Sequence, residues 1–180
     1  MHVGNLLCSL LALAAQGANA ADCSTLLAER TRTDMTLPFE AFDQDQNGGW
    51  RALDKQGCPA EAAILIERYS FQYDSKVRIL RWHLSQMHAI AGNVQEAIAT
   101  AEASINPRQE AQHPLFDWND YVFATVAFLR SDRASFDRHY ELLRIATEKE
   151  QDNQRNLDAL QRLKACFGKP YKEAYSCNAL

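Results

Sequence analysis

Gly57-Cys58-Pro59-Ala60-Glu61-Ala62-Ala63 and Gly92-Asn93-Val94-Gln95-Glu96-Ala97-Ile98 stand 35 residues apart and match at the glycine and at the Glu-Ala pair. In each, an amphipathic helical pattern precedes the glycine and a second one opens just beyond it. Glycine at such a boundary supplies the positive φ that ends a helix. The small alanine lets the next helix pack close against the one before. A period built from two helices implies stacked helical hairpins, because one hairpin cannot bury its apolar face alone.

The same spacing extends outward. Apolar residues recur every three or four positions almost everywhere, and alternating β-branched runs bounded by turns are missing, so the chain reads as all-α. Pro38, Gly48-Gly49, Gly57, Asp74-Ser75, Gly92-Asn93, Pro107, Pro114, Ser131-Asp132, Asp152-Asn153 and Gly168-Lys169-Pro170 divide it into about eight or nine helices. The longest irregular stretch, residues 106–114, reads as a surface loop.

In Leu84-Ser85-x-x-His88-x-x-x-Gly92-x-x-x-x-Ala97-x-x-x-Ala101-x-x-Ser104 the leucine, the glycine and the ladder of small residues resemble the tetratricopeptide repeat. An earlier copy runs through Leu53, Gly57, Ala62, Ile66 and Tyr69, and a third from Tyr121 through Phe128, Ser131-Asp132 and Phe136 to Leu143. The chain departs from the pattern at His88, where an aromatic is usual, at Trp50, where a small residue is usual, and at Pro107, which comes two positions early. Gly49-Trp50-Arg51-Ala52-Leu53 and Trp118-Asn119-Asp120-Tyr121 are similar to phrases of exported bacterial proteins. The resemblance spans residues 45–145. It implies an α-α superhelix of two to three stacked hairpins that binds a protein or peptide partner.

It also implies a place for that partner. The first helix of each hairpin would line a concave face, with groove positions at Arg51 in the first copy and at Trp82 and Gln86 in the second. Trp82 and Gln86 are four apart and share a helix face. An exposed indole, an amide and a guanidinium suit an extended peptide, the ring supplying buried area and the polar groups pairing with its backbone. The alternative is that Trp82 is core, wedged between hairpins.

The first 20 residues carry no Asp, Glu, Lys or Arg, run apolar from Leu6 to Ala15 and close on Ala18-Asn19-Ala20, the pattern of a secretory signal peptide cleaved before Ala21. Residues 21–180 then form one helical domain, periplasmic or secreted. A formal net charge of −4 with interspersed signs offers no long-range attraction to nucleic acid, and no apolar run is long enough for a membrane span. Beyond Cys8 in the leader there are Cys23, Cys58, Cys166 and Cys177. An even count in an exported chain reads as two disulfides. Of the three possible pairings, Cys23 with Cys58 and Cys166 with Cys177 is expected, because Gly168-Lys169-Pro170 turns the chain between the last two.

Asp43-Gln44-Asp45-Gln46-Asn47-Gly48-Gly49-Trp50-Arg51-Ala52-Leu53-Asp54 matches an EF-hand loop, with oxygens at positions one, three, five and twelve and glycine at six. Calcium binding at residues 43–54 is the alternative function. Against it, Asp54 is shorter than the usual glutamate and no second loop is present; a polar turn between helices is the simpler expectation. His83 and His88 are five apart and do not share a face, so both read as packed or exposed rather than as metal ligands. His113 and His139 read as solvated, as does the charged run from Arg144 to Arg155. No nucleophile signature, phosphate loop or cofactor motif is found, so neither catalytic residues nor a cofactor are expected.

Overall fold

Three times along the chain the backbone reverses through the same turn. The computed structural model describes residues 20–73, 77–112 and 115–178. The expected signal peptide, apart from Ala20, lies outside the described residues, as do Asp74-Ser75, His113 and Pro114. Helices α1 (Ala20–Asp34) and α2 (Phe39–Asp43) lead into α3 (Gly49–Lys55) and α4 (Pro59–Gln72); α5 (Arg78–Ala91) and α6 (Val94–Glu102) follow. After the short α7 (Gln109–Gln112) come α8 (Trp118–Leu129) and α9 (Arg133–Lys149). A 3₁₀ turn (Gln151–Asn153), α10 (Gln154–Ala165) and α11 (Tyr171–Tyr175) complete the order, and no strand occurs among the described residues. No described helix is long and apolar enough to cross a membrane.

α3–α4, α5–α6 and α8–α9 are hairpins whose first helix ends on a left-handed residue: Gly57 (φ 78°), Gly92 (φ 86°) and Ser131 (φ 58°). The next N–H reaches back over the turn each time, from Cys58 to Leu53 O, Asn93 to His88 O and Asp132 to Ala127 O, at 2.9–3.0 Å. This is the six-to-one bond of the Schellman motif, so three carbonyls that a helix end would leave unpaired are satisfied alike. Asp132 then opens α9 by accepting the N–H of Ser135.

Small residues let the hairpins close. Ala62, Ala97 and Ala101 are fully buried, and the Ser85 hydroxyl donates to the Ala97 carbonyl at 2.7 Å, joining α5 to α6. α5 is the spine of the molecule. Leu80, Leu84 and Met87 pack into the first core with Phe42, Trp50, Leu53 and Ile66, while Trp82 and Ala89 pack into a second core with Tyr121, Phe128, Phe136 and Leu160. Opposed apolar faces on one helix are what a central layer requires.

Disulfides close both ends as expected. Cys23–Cys58 ties α1 to the turn before α4, and Cys166–Cys177 joins the ends of α10 and α11. On the loop-entropy model each adds about 3 to 4 kcal/mol. Of the expected surface loop at 106–114, the described residues 106–112 lie largely at the surface but are not wholly irregular. They carry α7, fastened by Asn119, whose side chain accepts from Asn106 N and donates to Asn106 O, and whose own N–H donates to Gln109 Oε1. Side chain to backbone bonds of this kind leave no apolar period to read.

Candidate functional site

Between the α3–α4 and α5–α6 hairpins on one side and α8, α10 and α11 on the other lies a cavity of about 570 Å³. A neighbouring cavity of about 480 Å³ shares Ile79, Phe116, Trp118 and Asp152 with it, so the two adjoin and together make up the cleft. Arg51, Trp82 and Gln86 all line the larger cavity. The structure thus brings together the three residues singled out from the sequence. Trp82 is only 3% exposed, however, which corrects the expectation of an exposed indole. It packs against Tyr121 (centroids 4.7 Å apart) and meets Trp118 edge-on at 5.4 Å, so it is both core and cavity wall.

Arg51 is held from below. Its Nε donates to the Asp43 carbonyl oxygen at 2.7 Å, and its guanidinium lies over the Trp50 ring at 4.2 Å. Burial draws the Arg51 pKa down from its ordinary value; the Asp43 and Asp54 carboxylates oppose this, and the charge of Arg155 adds to it. Gln86 donates to the Tyr175 hydroxyl at 3.4 Å, and Arg162 Nε donates to the Tyr175 carbonyl at 3.0 Å.

Below Arg51 sits Asp43, fully buried. Its Oδ1 accepts from Trp50 Nε1 at 3.0 Å and pairs with His83 Nδ1 at 2.7 Å, and its Oδ2 accepts from Gln44 Nε2. Burial alone would raise the Asp43 pKa, but the hydrogen bonds from His83 and Trp50 and the charges of His83 and Arg51 together hold it below the ordinary carboxylate value. An ionised carboxylate only accepts, which places a proton on His83 Nδ1. His83 also lines the cavity. An oriented His resembles a general base, yet the described lining contains no Ser, Thr, Cys or Lys for it to activate.

The 43–54 loop is built as a turn. Asp43 ends α2; Asp45 Oδ1 accepts from Asn47 N at 2.9 Å, and Asn47 Oδ1 from Lys55 Nζ at 3.0 Å. The left-handed residue is Gly49 (φ 52°), one place later than an EF-hand requires, while Gly48 is extended. A Cβ on Gly49 would collide with the Phe42 carbonyl. Donors thus engage the side chains of Asp43, Asp45 and Asn47, three of the four that calcium would need, and the left-handed turn is misplaced, so the residues fit the ion poorly. Among the described residues the one group of three metal-capable side chains is Cys23, Cys58 and Glu61, and its cysteines are joined to each other.

His88 is buried beside Glu67 (3.3 Å). His139 is not solvated as expected: its Nδ1 meets Asp120 Oδ1 and its ring packs on Phe123. Arg144 does lie on an exposed face, between Glu141 and Glu148. Arg155, read as part of that face, is exposed and also lines the cavity with Arg162. Their spacing of seven, with Ala159 between them, was the available signal: two turns of one helix carry a cationic stripe interrupted by a small residue.

Compared with known protein families, with curated proteins and with solved structures, the chain has no match.

Proposed function

We propose that the protein is an exported helical-repeat scaffold that holds a segment of a protein or peptide partner in the cleft between its hairpins. The observation that carries this reading is the convergence of Arg51, Trp82 and Gln86, from two successive hairpins, on one cavity with aromatic walls. Concave sites with apolar walls and a few converging polar groups are the usual form of a binding site. Gln44, Gln86 and Asn156 supply amides along the cavity, each able to donate to and accept from a peptide backbone. Two disulfides suit work in an oxidising compartment, periplasmic or extracellular.

The test is selection of displayed peptides on the oxidised protein, followed by affinity measurement against Gln86→Ala and Arg155→Ala variants of unchanged melting temperature. Loss of roughly tenfold in affinity or more is expected if the selected segment sits in the cleft. Peptides that bind both variants as tightly as the parent would place recognition elsewhere and overturn the reading.

A further inference from the structure

The charge of the larger cavity runs against that of the whole chain. The protein carries a formal net charge of −4, yet three arginines and a single aspartate line this cavity. None of Arg51, Arg155 and Arg162 forms an ion pair with a described carboxylate. Of the two acids that act on Arg51, Asp43 is already committed to His83, Trp50 and Gln44, and Asp54 makes no ion pair with it. Guanidinium groups gathered in a concave, partly desolvated site repel one another until an anion enters, and their planar donor forks match carboxylates in geometry.

The seam between the two cavities is different. Ile79, Phe116 and Trp118 form an apolar wall where the two cavities meet. Both cavities open to solvent and share this wall, so a chain seated on the arginines can lay a side chain against it. The amides along the cleft favour a peptide over an acyl chain, which would strip their water and return no hydrogen bond.

We propose that the cleft recognises an internal acidic segment of a partner protein, with its carboxylates on Arg51, Arg155 and Arg162 and a bulky apolar side chain against Ile79, Phe116 and Trp118. This rests on the peptide-binding reading above. Arg155 and Arg162 are two helical turns apart, about 10.5 Å along α10. An extended chain advances about 3.3 Å per residue, so the matching carboxylates stand two to four residues apart.

The experiment uses N-acetylated, C-amidated peptides of about twelve residues in which a Glu pair at that spacing lies near a Phe, compared with the same peptides carrying Gln for Glu. Fluorescence anisotropy on the oxidised protein should show the acidic peptides binding at least about tenfold more tightly, a preference that weakens with salt and largely disappears in Arg155→Gln. Arg155 is exposed and has no described ion-pair partner, so this variant keeps the fold; its melting temperature verifies that. If the Gln peptides bind equally well and both respond to Gln86→Ala, the acidic assignment falls while peptide binding in the cleft stands. A third set with a free C-terminal carboxylate is measured alongside, and binding by that set alone would overturn the assignment of an internal segment. If no peptide of either set binds, the acidic assignment fails, and the selection experiment alone decides the broader reading.

Discussion

Asp43 and His83, forty residues apart in the chain, meet at 2.7 Å beneath the cleft and fasten the end of α2 to the middle of α5. Trp50 donates to the same carboxylate oxygen, so one buried charge fixes α2, α3 and α5 together. Removing it with Asp43→Ala leaves three donors unpaired and should cost about 3 to 5 kcal/mol, read from urea denaturation. Its pH dependence has a definite sign. The folded pKa lies below the unfolded value of about 3.9, so the stabilisation is present above that value and is lost as pH falls through the folded pKa. The stability gap between the parent and Asp43→Asn should narrow below about pH 4; a gap that stays constant down to pH 2 would contradict the assignment.

Asp120 behaves oppositely. Burial, and after it the neighbouring Asp117, push its pKa up to about 6 against the pull of His139. A folded pKa above the unfolded one contributes stability that is complete below about pH 3.9 and lost as pH rises through about 6. Asp120→Asn keeps an acceptor for His139 and should raise the melting temperature relative to the parent at pH 8 more than at pH 5. Equal shifts at both values would count against it.

The turns make a graded prediction. Ser131 holds a left-handed conformation with a side chain, so Ser131→Gly should stabilise by about 0.5 to 1 kcal/mol. At Gly92 an added Cβ meets nothing within 4 Å, and Gly92→Ala should cost about 1 kcal/mol from φ alone. Gly49→Ala adds a clash with the Phe42 backbone and should cost roughly 2 to 3 kcal/mol. Denaturation midpoints that fail to rank in this order would undo the steric argument.

Trp82 and Gln86 share a helix face but not a role. Trp82→Ala removes a buried ring and should cost about 3 to 5 kcal/mol, whereas Gln86→Ala should leave stability within about 1 kcal/mol. Thermal melts of the two variants separate core from cleft wall, and a Trp82→Ala protein as stable as the parent would return Trp82 to the groove.

Millimolar calcium should leave the melting temperature unchanged, since a ligand stabilises only as far as it binds the native state. A rise of several degrees that Asp45→Ala abolishes would instead establish the calcium reading; Asp45 is the better probe because Asp43 is structural.

Local chemistry wrote much of this molecule into the sequence. Helical spacing, the glycine turns at Gly57 and Gly92 and the Cys166–Cys177 pair across its short reversal depend on residues close in the chain, and the structure reproduces them. Arg51, Trp82 and Gln86, chosen as groove positions from the sequence, all line one cavity. What only the tertiary structure decided joins distant segments: the Asp43–His83 pair, the burial of Trp82 under Trp118, and the placing of Arg155 and Arg162 from α10 opposite Arg51 in α3. A helix period says which residues share a face but not what that face will meet, because the meeting is set by packing between elements that the chain brings together only when it folds.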